Sequence, residues 1–147
     1  MSRIWAQPTW YFFHTFAEKI NKEFYESNQA MCFNIIKQIC YNLPCPECRK
    51  HASNYISKIS LHSVTTKEDL IFVLFTFHND VNRRLGKRLF TWDELNMYKR
   101  AKTVKIFQLF LKRFGMSFAG RRFTAWTRNR ILHDLNGWIR QFWKYFT

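Results

Sequence analysis

Four cysteines, Cys32, Cys40, Cys45 and Cys48, cluster in the first third of the chain, and the last two sit in the run Leu43-Pro44-Cys45-Pro46-Glu47-Cys48. Thiols three positions apart on a helix share one face and can close a disulfide. The two prolines put a helix start at the pair, where unpaired N–H groups and the helix dipole stabilise a thiolate. A redox-active dithiol is the first reading. Zinc is the alternative, because Cys45, Cys48 and His51 offer three ligands. A fourth would have to come from Cys40, with the turn at residues 42–44 folded back, so no metal is expected. A purely structural disulfide would gain little from so short a loop. Cys32 and Cys40 are eight residues apart, roughly 12 Å of helical rise, too far to pair with each other. They read as buried small hydrophobes, with a relay role for Cys40 left open.

A second group of chemistry-bearing side chains lies in His78-Asn79-Asp80-Val81-Asn82-Arg83-Arg84-Leu85-Gly86-Lys87. His78 and Asn82, four positions apart, present a ring and an amide on one side of a helix, a face that can hold a nucleotide. Lys87 comes directly after the helix-breaking Gly86, placed to meet a diphosphate with Arg83 and Arg84 as helpers. Plainer readings stand beside these: a histidine among aromatics is usually a hydrogen-bonded core residue, and an isolated lysine a solvated one. Trp10 and Val81 can wall a flat ligand or simply fill the core.

Helices must position both groups. Apolar positions at helical spacing predict a first helix over 8–24 and a second from Ser27 or Asn28 until the Asn42-Leu43-Pro44 stop. A third runs from Pro44 or Cys45 to about Ile59. Thr65 or Thr66 caps a fourth, which continues to Leu85. Thr91 and Glu94 form a capping box for a fifth over 92–113, with Gly115 as its stop. Ile131, Leu135, Trp138, Ile139, Phe142 and Phe146 mark a sixth, amphipathic helix in an arginine-rich segment. The expected fold is all-α, a small antiparallel bundle with a basic C-terminal extension.

A chain of 147 residues suits one domain, and 47% apolar with 19% aromatic residues excludes a disordered polymer. Twenty-four Lys and Arg against 10 Asp and Glu give a net charge of +14, which attracts phosphates, nucleic acid or an anionic membrane without choosing among them. No apolar run approaches the roughly 20 residues that span a bilayer, and no stretch has a signal-peptide layout. A soluble, unsecreted protein is expected.

Three ordered blocks resemble the Erv/ALR family of FAD-linked sulfhydryl oxidases. Trp10-Tyr11-Phe12-Phe13-His14-Thr15 is similar to the family's W-x-x-x-H, Pro44-Cys45-Pro46-Glu47-Cys48 to its redox motif, and 78–87 to its H-N-x-V-N-x-x-L-x-K box. The run from Leu43 to Ala52 looks most like the versions in large DNA viruses. The resemblance implies a four-helix FAD-binding bundle with a short fifth helix, spanning 1–113, and leaves 114–147 as an extra basic amphipathic C-terminal element. It implies Cys45 as the sulfur that exchanges with substrate and Cys48 as the one against the flavin. Trp10, His14, Cys48, His78, Asn79, Val81, Asn82, Lys87 and Tyr98 are implied as FAD contacts. The implied partners are a thiol-containing protein substrate or dithiol relay protein, molecular oxygen as acceptor, and a second copy in a homodimer. Host-cell cytoplasm, a virus factory or the virion is the implied location. Leu43 stands where cellular members carry an aromatic, and Thr76 where many carry His, so flavin packing differs there.

Two other functions compete. A nucleic-acid module is suggested by the mixed Arg and Trp of the C-terminal segment, but no matching motif supports it and helical periodicity explains the tryptophans, so nucleic acid is not an expected partner. A zinc-stabilised structural protein would be colourless, where a flavoprotein is yellow. The apolar stripe of the sixth helix must be covered by the bundle, a second copy, an anionic membrane surface or a protein partner.

Overall fold

Helix α1 (Ala6–Lys19) is buried nearly all round, through Thr9, Phe12, Phe13, His14, Thr15, Phe16 and Ala17. A helix apolar on most faces must be surrounded, and α1 is the central element. The computed structural model describes residues 3–117 and 122–147, leaving aside the side chains of 122–125 and 128. After α1 come α2 (Lys22–Ser27), α3 (Gln29–Tyr41), α4 (Pro46–Ser57), α5 (Lys67–Arg84), α6 (Thr103–Met116) and α7 (Arg122–Phe142), of which α5 and α6 pack most extensively on α1. Short 3-10 segments cover Leu61–Val64, Trp92–Arg100 and Trp143–Tyr145.

The single helix expected over 8–24 is two. Ile20 is extended, at φ −68° and ψ 140°, and Asn21 caps α2 by accepting from the Phe24 N–H at 2.8 Å. The break has a distant cause. Ile20 forms an antiparallel bridge with Phe146, the Asn21 N–H donates to Tyr145 O, and the Thr147 N–H donates to Lys19 O. Continuing the helix would forfeit these bonds.

The helix expected over 92–113 is also interrupted. Thr91 and Glu94 make the anticipated capping box, but the chain then runs on as a 3-10 stretch that ends at extended Ala101. With three residues per turn it aligns Leu95 and Tyr98 on one inward line, and both are buried. Helix α6 then begins afresh and lays Phe107 and Phe110 against Phe12, at ring separations of 4.7 and 4.4 Å.

The ends of α5 obey their sequence signals. Thr66 and Asp69 form the N-terminal capping box. At the other end Gly86 takes a positive φ of 68°, and the Gly86 and Lys87 N–H groups donate to Arg83 O and Asn82 O at 3.2 and 2.8 Å. This Schellman arrangement turns the chain sharply at Lys87.

The amphipathic stripe of the last helix is covered within the same chain. Ile131, Leu135 and Ile139 are buried in the common core, Trp138 stacks on Phe16 at 5.6 Å, and Phe142 and Tyr145 pack on Phe24. Each fully buried aliphatic side chain of this kind stabilises by about 1.5–3 kcal/mol. Helix α7 ends at Phe142 rather than continuing to Phe146. Arg121, and the side chains of Arg122 and Arg128 in the basic segment, lie outside the described residues. Among the described residues no helix is long and apolar enough to cross a membrane.

Candidate active site

Cys45 is the N-cap of α4, with Pro46 in the first turn and Glu47 beside it where negative charge suits the dipole. Its Sγ accepts from the Cys48 N–H at 3.3 Å. Burial tends to raise the Cys45 thiol, but hydrogen bonds from the Cys48 side chain and N–H and from the Glu47 N–H, together with the charge of Arg3, outweigh it and hold the thiol below its ordinary range. Cys48 is the opposite. Buried one turn along, it is pushed up to about 11 by desolvation and by sharing its hydrogen bond with Cys45, despite Arg3 and Arg84. The pair is therefore polarised, with the half-exposed sulfur acidic and the buried one not.

Cys48 opens onto a cleft of about 620 Å³ whose walls come from α1, α4, α5 and the stretch immediately after α5. That volume lies within the range of small-molecule and cofactor sites. Of the residues singled out in the sequence, Trp10, Cys40, Cys48, His51, His78, Val81, Asn82, Arg84, Lys87 and Tyr98 line it. Trp10 and His78 stack at 4.1 Å with planes 9° apart, a flat wall deeper than either ring alone. Arg3, Arg84, Lys87 and Arg88 bring positive charge to the same cleft. Flat walls, an amide and a cationic rim suit a ligand that combines heteroaromatic rings with phosphates.

His14 and Asn79, also expected as FAD contacts, are not among the residues that line the cleft. Both are buried behind the lining. His14 Nε2 and His78 Nδ1 share a 2.9 Å hydrogen bond. Burial, reinforced by His78, lowers His14 to about 3, and burial with Lys87 lowers His78 to about 4, against the pull of Glu94. Both rings are neutral at pH 7, so one donates and the other accepts, and His14 fixes the tilt of His78. The Asn79 amide bonds mainly to backbone: Oδ1 accepts from the Phe90 N–H at 2.7 Å and, more weakly, from Asn82 Nδ2 at 3.4 Å, and Nδ2 donates to Phe90 O at 2.8 Å. It clamps the segment carrying Lys87, Arg88 and Phe90, three lining residues.

His51, a zinc candidate by its spacing from the cysteines, points to α5, where its Nε2 meets Asp80 Oδ2 at 3.0 Å. Among the described residues no group of three or more His, Cys, Asp or Glu is arranged to hold a metal. Cys32 and Cys40 are fully buried, and desolvation raises both thiols, Cys32 to about 12. Sequence reasoning missed Arg3, Trp5, Phe90 and Met97, which also line the cleft. Arg3 carries no local motif. Phe90 was reachable only through Asn79, whose partner lies eleven positions downstream.

Known proteins are similar to this chain in sequence. An FAD-linked sulfhydryl oxidase of African swine fever virus is 35% identical over 103 residues, covering 66% of this chain and 82% of that protein. The putative FAD-linked sulfhydryl oxidases 096R of Invertebrate iridescent virus 3 and 347L of Invertebrate iridescent virus 6 are 34% and 33% identical, each over 58% of this chain and over 58% and 83% of their own lengths. No solved structure matches the chain. The Erv1/Alr family model matches residues 7–102, which contain the cysteine pair and nearly the whole cleft, and the chain belongs to that family.

Proposed function

We infer that this chain is an FAD-dependent thiol oxidase that makes disulfides in thiol-containing substrates, with oxygen as the final electron acceptor. The observation that carries the reading is the polarised pair: Cys45 at an exposed helix start, Cys48 buried and facing the cleft. A substrate thiolate attacks Cys45 Sγ of the oxidised pair, and the Cys45–Cys48 bond breaks. A second substrate thiol then displaces Cys45, leaving the substrate disulfide and both enzyme thiols reduced. Cys45, the more acidic thiol, is the better leaving group. FAD, when bound, takes the electron pair from the reduced cysteines and passes it to oxygen, giving hydrogen peroxide.

The residues fit that cofactor. Trp10 and His78 offer stacking surface, Val81 an apolar wall and Asn82 an amide. Lys87, with Arg84, offers charge for the diphosphate. Tyr98 adds a ring whose phenol burial keeps protonated. His14 and Asn79 act one layer out, by holding His78 and the 87–90 segment.

In the same proposal residues 1–113 carry the chemistry and 114–147 are accessory, although packed into the same core. A homodimer, a separate dithiol relay partner, and a place in host-cell cytoplasm, virus factory or virion complete it. A membrane contact through the last helix would have to be electrostatic, since its apolar stripe is turned inward.

Purified protein tests the reading directly. It should be yellow and should yield one peroxide per disulfide formed from a small dithiol. Cys45→Ser and Cys48→Ser should each abolish turnover with flavin still bound. A colourless preparation carrying zinc would overturn it.

A further inference from the structure

The charge of this protein is segregated. Residues 1–98 hold twelve Lys and Arg against nine acidic residues, while 99–147 hold twelve against Asp134 alone, so +11 of the net +14 lies in the last third. Every ion pair among the described residues falls in the first part: Lys22 with Glu26 and Glu68, His51 with Asp80, and Arg88 with Glu94. Lys105, Lys112, Arg130, Arg140 and Lys144 are exposed. Unneutralised cations so concentrated repel one another and are relieved by a polyanion.

We propose that the outward surface of α6 and α7 binds single-stranded nucleic acid through its backbone, independently of thiol oxidation. Two observations favour this partner over a lipid surface. The stripe that would insert among acyl chains, Ile131, Leu135 and Ile139, is consumed by the core, so α7 presents mainly its polar, cationic side. Trp126 is 67% exposed, and the Arg130 guanidinium lies 5.6 Å from its ring centroid. An exposed indole beside an arginine is a platform on which a base stacks while the cation meets phosphate. Arg130 and Arg140 are about 15 Å apart along the helix, a span that covers several phosphates of an extended strand.

The test is fluorescence anisotropy of a labelled 20-nucleotide single strand with the flavin-loaded full chain. Contacts from Lys105, Lys112, Arg130 and Arg140 predict a log–log salt slope of about −2.8, or about 50-fold weaker binding at 200 than at 50 mM salt. Lys105→Gln/Lys112→Gln should flatten the slope by about 1.4, and Trp126→Ala should weaken binding about tenfold. The equally charged control Lys37→Gln/Lys58→Gln should leave binding unchanged, and all variants should oxidise a small dithiol at the original rate. Equal losses from the two lysine pairs would show that net charge, not this surface, binds the strand, and would overturn the proposal. So would absence of binding at 50 mM salt, or co-sedimentation with phosphatidylserine vesicles by a protein that ignores the strand.

Discussion

Replacing Asn79 by Ala separates two ways in which a buried amide can serve a cofactor site. Its amide makes two hydrogen bonds to Phe90, of 2.7 and 2.8 Å. Each is worth about 0.5–1.5 kcal/mol net, and the Phe90 backbone groups would be left partly desolvated without partners. The expected loss is about 2–4 kcal/mol of folding free energy. With a urea slope near 2 kcal/mol/M the midpoint should drop by about 1–2 M. The measurement is urea unfolding of flavin-depleted protein by circular dichroism, beside flavin release from the loaded form. The clamp predicts that both suffer, because the segment bearing Lys87 and Arg88 loosens whether or not ligand is present. A flavin-depleted midpoint unchanged by the substitution, with flavin affinity alone reduced, would refute the reasoning and put the amide on the cofactor.

Three further outcomes are expected. In the reduced protein iodoacetamide should modify Cys45 at pH values where Cys48 is still protected, since Cys45 is lowered and Cys48 raised to about 11, and peptide mass spectrometry reads the order. Acid should destabilise the fold: His14 and His78 stay neutral down to about 3 and 4, whereas unfolded imidazoles protonate near 6.5. The unfolded chain therefore binds more protons below about pH 6.5, and stability falls from there toward pH 4; His14→Phe should flatten that slope in acid-unfolding curves. Gly86→Ala should lower the melting temperature by several degrees, because the φ of 68° costs a side chain about 1 kcal/mol, and should weaken flavin retention by displacing Lys87.

Local chemistry was legible where neighbours decide it. The capping boxes at Thr66 and Thr91, the Gly86 stop and the helix start at Cys45 all appear as the sequence signals them, because each needs partners within a few positions. The cysteine pair and the His78–Lys87 box could be found for the same reason. What escaped was set by distant chain. The break at Ile20 depends on Tyr145 to Thr147. The layer to which His14 and Asn79 belong depends on a histidine 64 positions away and a backbone eleven positions away. Spacing shows that a residue faces inward. It does not say whether the space there is cleft or second wall.

The bridge between Ile20 and Phe146 also imposes an order on biosynthesis. Its two halves are separated by more than a hundred residues, so at ribosomal speeds roughly 6–25 s pass between the emergence of one and of the other. During that interval Phe16 on α1 and Phe24 on α2 lack their C-terminal partners Trp138, Phe142, Tyr145 and Phe146. A nascent chain in that state exposes aromatic surface that a chaperone would bind. Disulfide exchange at Cys45, translated long before the closing segment, would be open to errors that the finished protein prevents. Flavin added during synthesis, rather than after it, should therefore raise the yield of active protein most when elongation is slow.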